Sequence, residues 1–99
     1  MNDAPKPSEA GETRRIVTIC NKRGLHARAA ARFVKLAWQF DAEVRVRKNG
    51  TTVSGRSIMG LMMLAAGPGT EIELSANGHD AERAVAALAD LVTGGFDEG

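Results

Sequence analysis

Apolar residues in this chain switch repeatedly between a period of two and a period near 3.6, with turn residues at the switches. Val17 and Ile19 alternate with Ile16, Thr18 and Cys20, which predicts a strand over 14–20 buried on at least one face. Asn21-Lys22-Arg23-Gly24 is turn chemistry. Ala30, Phe33, Val34 and Ala37 then fall at i, i+3, i+4 and i+7, which predicts a helix over 27–39. Arg28, Arg32 and Lys35 share a different face of it, and Asp41-Ala42 closes it. Val44 and Val46 alternate with charged residues over 43–48. Asn49-Gly50 follows, a pair at ease at positive φ, with Thr51–Ser54 as the return strand of a hairpin. Ser57 is a good N-cap for a short helix whose Ile58, Leu61 and Leu64–Ala65 face the core, and Gly67-Pro68-Gly69 stops it. Residues 71–75 alternate again, Asn77-Gly78 turns, and a last helix begins at Asp80 or a neighbour. Ala84, Val85, Leu88 and Leu91–Val92 form its stripe, and Gly94-Gly95 ends it. The order β-α-β-β-α-β-α predicts an α+β two-layer sandwich of antiparallel strands with helices on one face.

Ninety-nine residues fit one domain. Residues 1–13, rich in Pro, Glu, Ser and Gly, read as a disordered tail, leaving 14–99 as the folded unit. No apolar run approaches the ~20 residues that span a bilayer, and the first residues lack the apolar core of a secretory signal, so no membrane insertion is expected. Cys20 is the single cysteine and has no internal partner, in keeping with a reducing cytoplasm. Net charge is +1, but it is segregated. Residues 14–56 hold eleven Lys and Arg against Asp41 and Glu43, whereas 57–99 hold Arg83 against seven acids. A basic half on a nearly neutral chain suits an acidic partner surface or a phosphate. Nucleic acid suits it less, because few aromatics are available to stack on bases and Tyr is absent.

The distinctive stretch is Asn21-Lys22-Arg23-Gly24-Leu25-His26-Ala27-Arg28-Ala29-Ala30. A flexible glycine leads into His26 at the start of the first helix, where backbone N–H groups lack helical partners and the dipole is positive. That is an anion site. A neutral imidazole is nucleophilic near physiological pH and can attack phosphorus to hold the group covalently. Arg28 can reach the phosphoryl oxygens and offset their charge. The residues alone leave a second reading open, in which His26 only caps the helix and Arg28 is solvated.

Gly24-Leu25-His26-Ala27-Arg28 opening a helix, then Arg32-Phe33-Val34-Lys35-Leu36-Ala37, resembles the histidine-containing phosphocarrier (HPr) family of bacterial phosphotransferase systems. The likeness continues through Phe40-Asp41-Ala42-Glu43-Val44, Ser57-Ile58-Met59-Gly60-Leu61 and Gly69-Thr70-Glu71-Ile72, and spans residues 14–95. It implies an open-faced sandwich with a four-stranded sheet and three helices. His26 would be phosphorylated on the ring nitrogen nearer the backbone, with Arg28 beside the phosphate. The group would come from phosphoenolpyruvate through enzyme I and pass to an enzyme IIA-type acceptor, with no metal and no cofactor. The family has proline after the motif arginine, where this chain has Ala29. Alanine is a good helix former, so the fold survives, but the first turn loses a fixed φ.

Ser57 reads from local sequence as an N-cap. The resemblance adds a second role, as the target of HPr kinase/phosphorylase. The two are compatible, because a phosphate at an N-cap is tolerated by the helix dipole, and its charge would repel an acidic partner. Met59, Met62 and Met63 share one short helix, and methionines are more often core filler than docking surface. In the family their positions form an exposed apolar contact patch, which implies a partner surface of Met59 and Met62 rimmed by Arg28, Arg32 and Lys35. From residues alone those three cations are equally a solvated helix face. His79 reads as a surface turn residue, Trp38 as packing at a helix edge, and Cys20 as an unremarkable strand residue. Two histidines and one cysteine, widely spaced, make no metal pattern.

The carrier expected from these readings is a monomer, with partners supplying most of the catalysis. One alternative is a purely regulatory module like those of the nitrogen-related branch, because the ending Gly95-Phe96-Asp97-Glu98 of this chain resembles theirs. Another is a small ligand- or RNA-binding domain, indifferent to the loss of His26.

Overall fold

The computed structural model describes residues 12–98. Its elements are β1 (Glu12–Thr18), α1 (Ala27–Ala37), β2 (Glu43–Lys48), β3 (Thr51–Ser54), α2 (Ile58–Met63), β4 (Glu71–Asn77), α3 (Ala81–Thr93) and a 3-10 turn (Gly95–Asp97). The four strands form one antiparallel sheet in the order β1-β4-β2-β3. The register sets Val17 opposite Ile72, Leu74 opposite Val46, and Ala76 opposite Val44. Those side chains share one face of the pleat and meet Phe33, Leu61, Val85, Leu88 and Val92 of the helices, all buried. The other face carries the charged and polar alternates, among them Arg14, Glu43, Arg45 and Arg47. This is the α+β sandwich that the period of the sequence predicts, in the open-faced form that the family resemblance implies.

Several boundaries differ from expectation, each for a visible reason. The first strand is displaced from 14–20: Glu12 and Thr13 pair with Asn77 and Ala76, and the ladder ends at Thr18 opposite Glu71. Two bonds continue irregularly, Ile19 N–H to the Thr70 carbonyl at 2.9 Å and Gly69 N–H to the Ile19 carbonyl at 2.8 Å. Cys20 therefore lies beyond the strand, exposed, its thiol donating to the Thr93 carbonyl at 3.4 Å. Residues 1–11 of the expected tail lie outside the described residues. Helix α1 stops at Ala37 with Trp38 as its C-cap. Trp38 is exposed, its ring stacked under the Arg56 guanidinium at 4.1 Å. The same guanidinium donates to the Phe40 and Ala42 carbonyls at 3.0 and 3.2 Å, tying the loop after α1 to the turn after β3.

Helix α2 is shorter and less buried than expected. Leu61 is its buried residue, while Ile58 is exposed. The helix ends before Gly67, because Ala65 takes a left-handed conformation at φ 51° and hands the core position to Ala66. Lys48 reaches across from β2 to donate to the freed carbonyls of Leu64 (2.9 Å) and Ala65 (3.2 Å). No helix among the described residues is long and apolar enough to cross a membrane.

Candidate functional site

Gly24 sets the approach to His26. Its φ is +64°, and a Cβ there would stand 2.3 Å from the Ala66 carbonyl oxygen. Glycine is thus required by both the backbone conformation and the close packing of the two loops. The next residue, Leu25, donates its N–H to that same carbonyl at 2.9 Å and is itself buried. His26 follows as the N-cap of α1, with φ −74° and ψ 177°.

The ring of His26 makes two bonds of opposite kind. Nδ1 accepts from the Arg28 backbone N–H at 3.3 Å, the side-chain cap of the helix. Nε2 meets the Glu98 carboxylate. An acceptor at Nδ1 and a carboxylate at Nε2 assign the neutral ring to the tautomer with its proton on Nε2 and a lone pair on Nδ1. That lone pair points to the positive end of the helix. The side chain is mostly enclosed, with an exposure of 22%.

Around the ring, Arg23, Arg28, Arg32 and Glu98 line one shallow depression. Met62 from α2 joins Arg23, Leu25, His26 and Ala66 in a second. Arg28 is exposed, as is Lys35. Arg32 is half-buried, its guanidinium turned in to donate to the Phe96 carbonyl. Asn21 is buried, and its Nδ2 donates both to the Gly24 carbonyl (2.9 Å) and to Glu98 Oε1 (3.0 Å). The bond from Asn21 holds the Glu98 carboxyl below its ordinary value. The bond and charge of His26 and the charge of Arg32 add to this, and burial opposes it.

The other expected residues fall as follows. Ser57 caps α2, its Oγ accepting from the Gly60 N–H at 2.9 Å. Met59 and Met63 are 73% and 76% exposed and Met62 42%, so the methionines are surface rather than core filler. With Ile58 they make an apolar patch beside the basic depression. His79 is exposed in its turn. The structure thus groups His26, Arg28, Arg32 and Met62, with Lys35 farther along the exposed face of α1. It adds three residues that sequence reasoning missed: Arg23 and Asn21, read only as turn formers, and Glu98. The sole signal for Glu98 was the likeness of 95–98 to one family branch. Nothing in spacing connects it to a histidine 72 positions away.

A family profile described as the PTS HPr component phosphorylation site matches residues 13–94. The chain belongs to the HPr family. The phosphocarrier protein HPr of Neisseria meningitidis is 55% identical over 83 residues, 84% of this chain and 93% of the relative. The phosphocarrier protein NPr of Shewanella violacea is 48% identical over 84 residues, 85% of this chain and 92% of the relative. Among solved structures, HPr-C-His from Thermoanaerobacter tengcongensis superposes with a TM-score of 0.84 at 42% identity, covering 88% of this chain and 98% of that one. Both the HPr and the NPr branches are therefore among its relatives. HPr proteins are phosphocarriers of the phosphotransferase system rather than catalytic enzymes, and that is the role of this chain.

Proposed function

We propose that His26 carries the phosphoryl group on Nδ1, taking it from phosphoenolpyruvate-charged enzyme I and passing it to an enzyme IIA-type acceptor. The observation that carries this reading is the Nδ1 lone pair at the N-terminus of α1, beside the N–H of Arg28. A phosphoryl group there meets unpartnered backbone donors and the positive end of the dipole. Arg28, beside it in the same depression, offsets the phosphoryl charge. Met59 and Met62, rimmed by Arg28, Arg32 and Lys35, form the partner surface: an exposed apolar patch next to basic side chains suits an acidic partner with an apolar centre.

Ser57 is proposed as the regulatory site of an HPr kinase/phosphorylase. A phosphate there adds nearly two negative charges between Ile58 and Arg56, at the edge of the methionine patch. The carrier works as a cytoplasmic monomer without metal or cofactor, and without nucleic acid. Intact mass after incubation with phosphoenolpyruvate and enzyme I tests the site. One acid-labile phosphate is expected on the wild type and none on His26→Ala. Acid-labile phosphate retained by the variant would overturn the assignment.

The NPr relatives and the ending Gly95-Phe96-Asp97-Glu98 favour a second reading of the same chemistry, in which phosphate leaves His26 for a regulatory IIA protein rather than a sugar permease component. Transfer assays with both kinds of acceptor separate the two.

A further inference from the structure

The ring nitrogen of His26 that faces away from the helix is held by a carboxylate that is itself held. Glu98 Oε1 accepts from Asn21 Nδ2 at 3.0 Å, and Asn21, 6% exposed, also grips the Gly24 carbonyl. The segment bearing Glu98 is anchored by Phe96, whose ring is fully buried and whose carbonyl accepts from Arg32. Phe96 and Asp97 sit at φ 57° and 60°, a left-handed pair in which the bulky Phe96 is held by the contacts around its buried ring. The charged groups facing the ring are Arg23 from the turn, Arg28 and Arg32 from α1, and Glu98; α2 contributes the neutral Met62. Glu98 is the carboxylate among these lining residues, and it faces Nε2 of the ring.

We propose that Glu98 is a positioning residue of the phosphoryl site, keeping Nε2 protonated through charging and discharge of the ring. The inference rests on the reading that His26 carries the phosphoryl group. In charging, the Nδ1 lone pair bonds to phosphorus of the phosphorylated donor protein. The bond from phosphorus to the donor's leaving group breaks, its electron pair staying with that group. The ring then bears a P–Nδ1 bond and an Nε2–H, with one positive charge facing Glu98. In discharge the acceptor's nucleophile bonds to phosphorus, the P–Nδ1 pair returns to the ring, and a neutral imidazole is released. No proton leaves Nε2 in either step. Without the carboxylate the phosphorylated ring loses that proton at lower pH, and transfer must expel an imidazolate, a far poorer leaving group. This carboxylate–histidine pairing fixes tautomer and orientation in the way such pairs do elsewhere.

The test uses the full chain in three forms: wild type, Glu98→Gln and Glu98→Ala. Proton NMR of the uncharged protein should show an Nε2–H resonance protected from exchange in the wild type and lost in Glu98→Ala. After charging by the donor, the fall of transfer rate at alkaline pH should begin at lower pH in both variants. Above that point Glu98→Gln, which keeps the shape but not the charge, should transfer about tenfold more slowly. Profiles of phosphorylated variants that overlay the wild type would overturn the role of Glu98 alone. Failure of wild-type His26 to take any phosphate would overturn both this role and the reading it rests on.

Discussion

Arg28 meets His26 through its backbone and the depression through its side chain, and so mutation separates stability from transfer. Arg28 contributes a backbone N–H to the cap and an exposed side chain to the depression. Replacing it by Ala leaves the N–H in place, so thermal stability should move by no more than about 0.5 kcal/mol. Phosphoryl transfer should slow about tenfold, the worth of one charge-assisted bond to the phosphate. Stopped-flow exchange beside a thermal melt checks both, and an unchanged exchange rate would remove Arg28 from the phosphate. Ser57 offers the complementary case. Ser57→Asp retains a capping oxygen for the Gly60 N–H while adding charge at the edge of the methionine patch. Titration calorimetry should show weaker enzyme I binding by the variant; equal affinity would rule out regulation through charge at this residue.

At the scale of elements, α2 is the marginal one. It has six residues, one of them fully buried, and ends in an alanine at φ 51°. A Cβ in the left-handed region carries a cost of about 1 kcal/mol that glycine avoids, partly offset by the greater freedom of glycine in the unfolded chain. Ala65→Gly should therefore stabilise by about 0.5 kcal/mol, raising the melting temperature by about 2–4 °C. A calorimetric scan decides it, and a lower melting temperature would mean that the bonds from Lys48 to the Leu64 and Ala65 carbonyls depend on the alanine conformer. Helix α1 stands in contrast, with Phe33, Ala30 and Ala37 buried and its first turn capped by the His26 ring.

The molecule as a whole closes its site with residues from both ends of the described fold. Asn21 and His26 flank the turn after β1, and Glu98 arrives behind α3. This closure gives stability a pH dependence. The Glu98 carboxyl lies below its ordinary 4.5, chiefly through Asn21 and His26. A depressed carboxyl stabilises the fold above its unfolded value, and that contribution disappears as pH falls through the folded value. Urea denaturation of the wild type and Glu98→Gln should thus differ most at neutral pH and converge as pH falls below 4.5. A difference that persists undiminished in acid would show that the carboxylate charge contributes nothing to the closure.

Much of this was legible in one dimension, for a physical reason. Secondary structure follows from the local period of apolar residues and from turn chemistry, so Phe33, Val44, Val46 and Leu88 announced their burial in the sequence. The place of His26 at the start of a helix was legible too, because a helix N-terminus is a local structure. Ends of elements were less legible. Thr18 ends β1 because its partner strand ends opposite it, and Ala65 ends α2 because Ala66 packs beneath Gly24; both are decisions of contact rather than propensity. The ring's second partner lay beyond sequence reasoning altogether. Glu98 meets Asn21 and His26 only where α3 crosses the sheet and Phe96 is buried, and a carboxylate brought in over 72 residues leaves no periodic trace. The sequence by itself determined the sandwich and placed His26 at a helix N-terminus; tertiary packing decided which ring nitrogen faces a carboxylate, because only packing brings Glu98 to the ring.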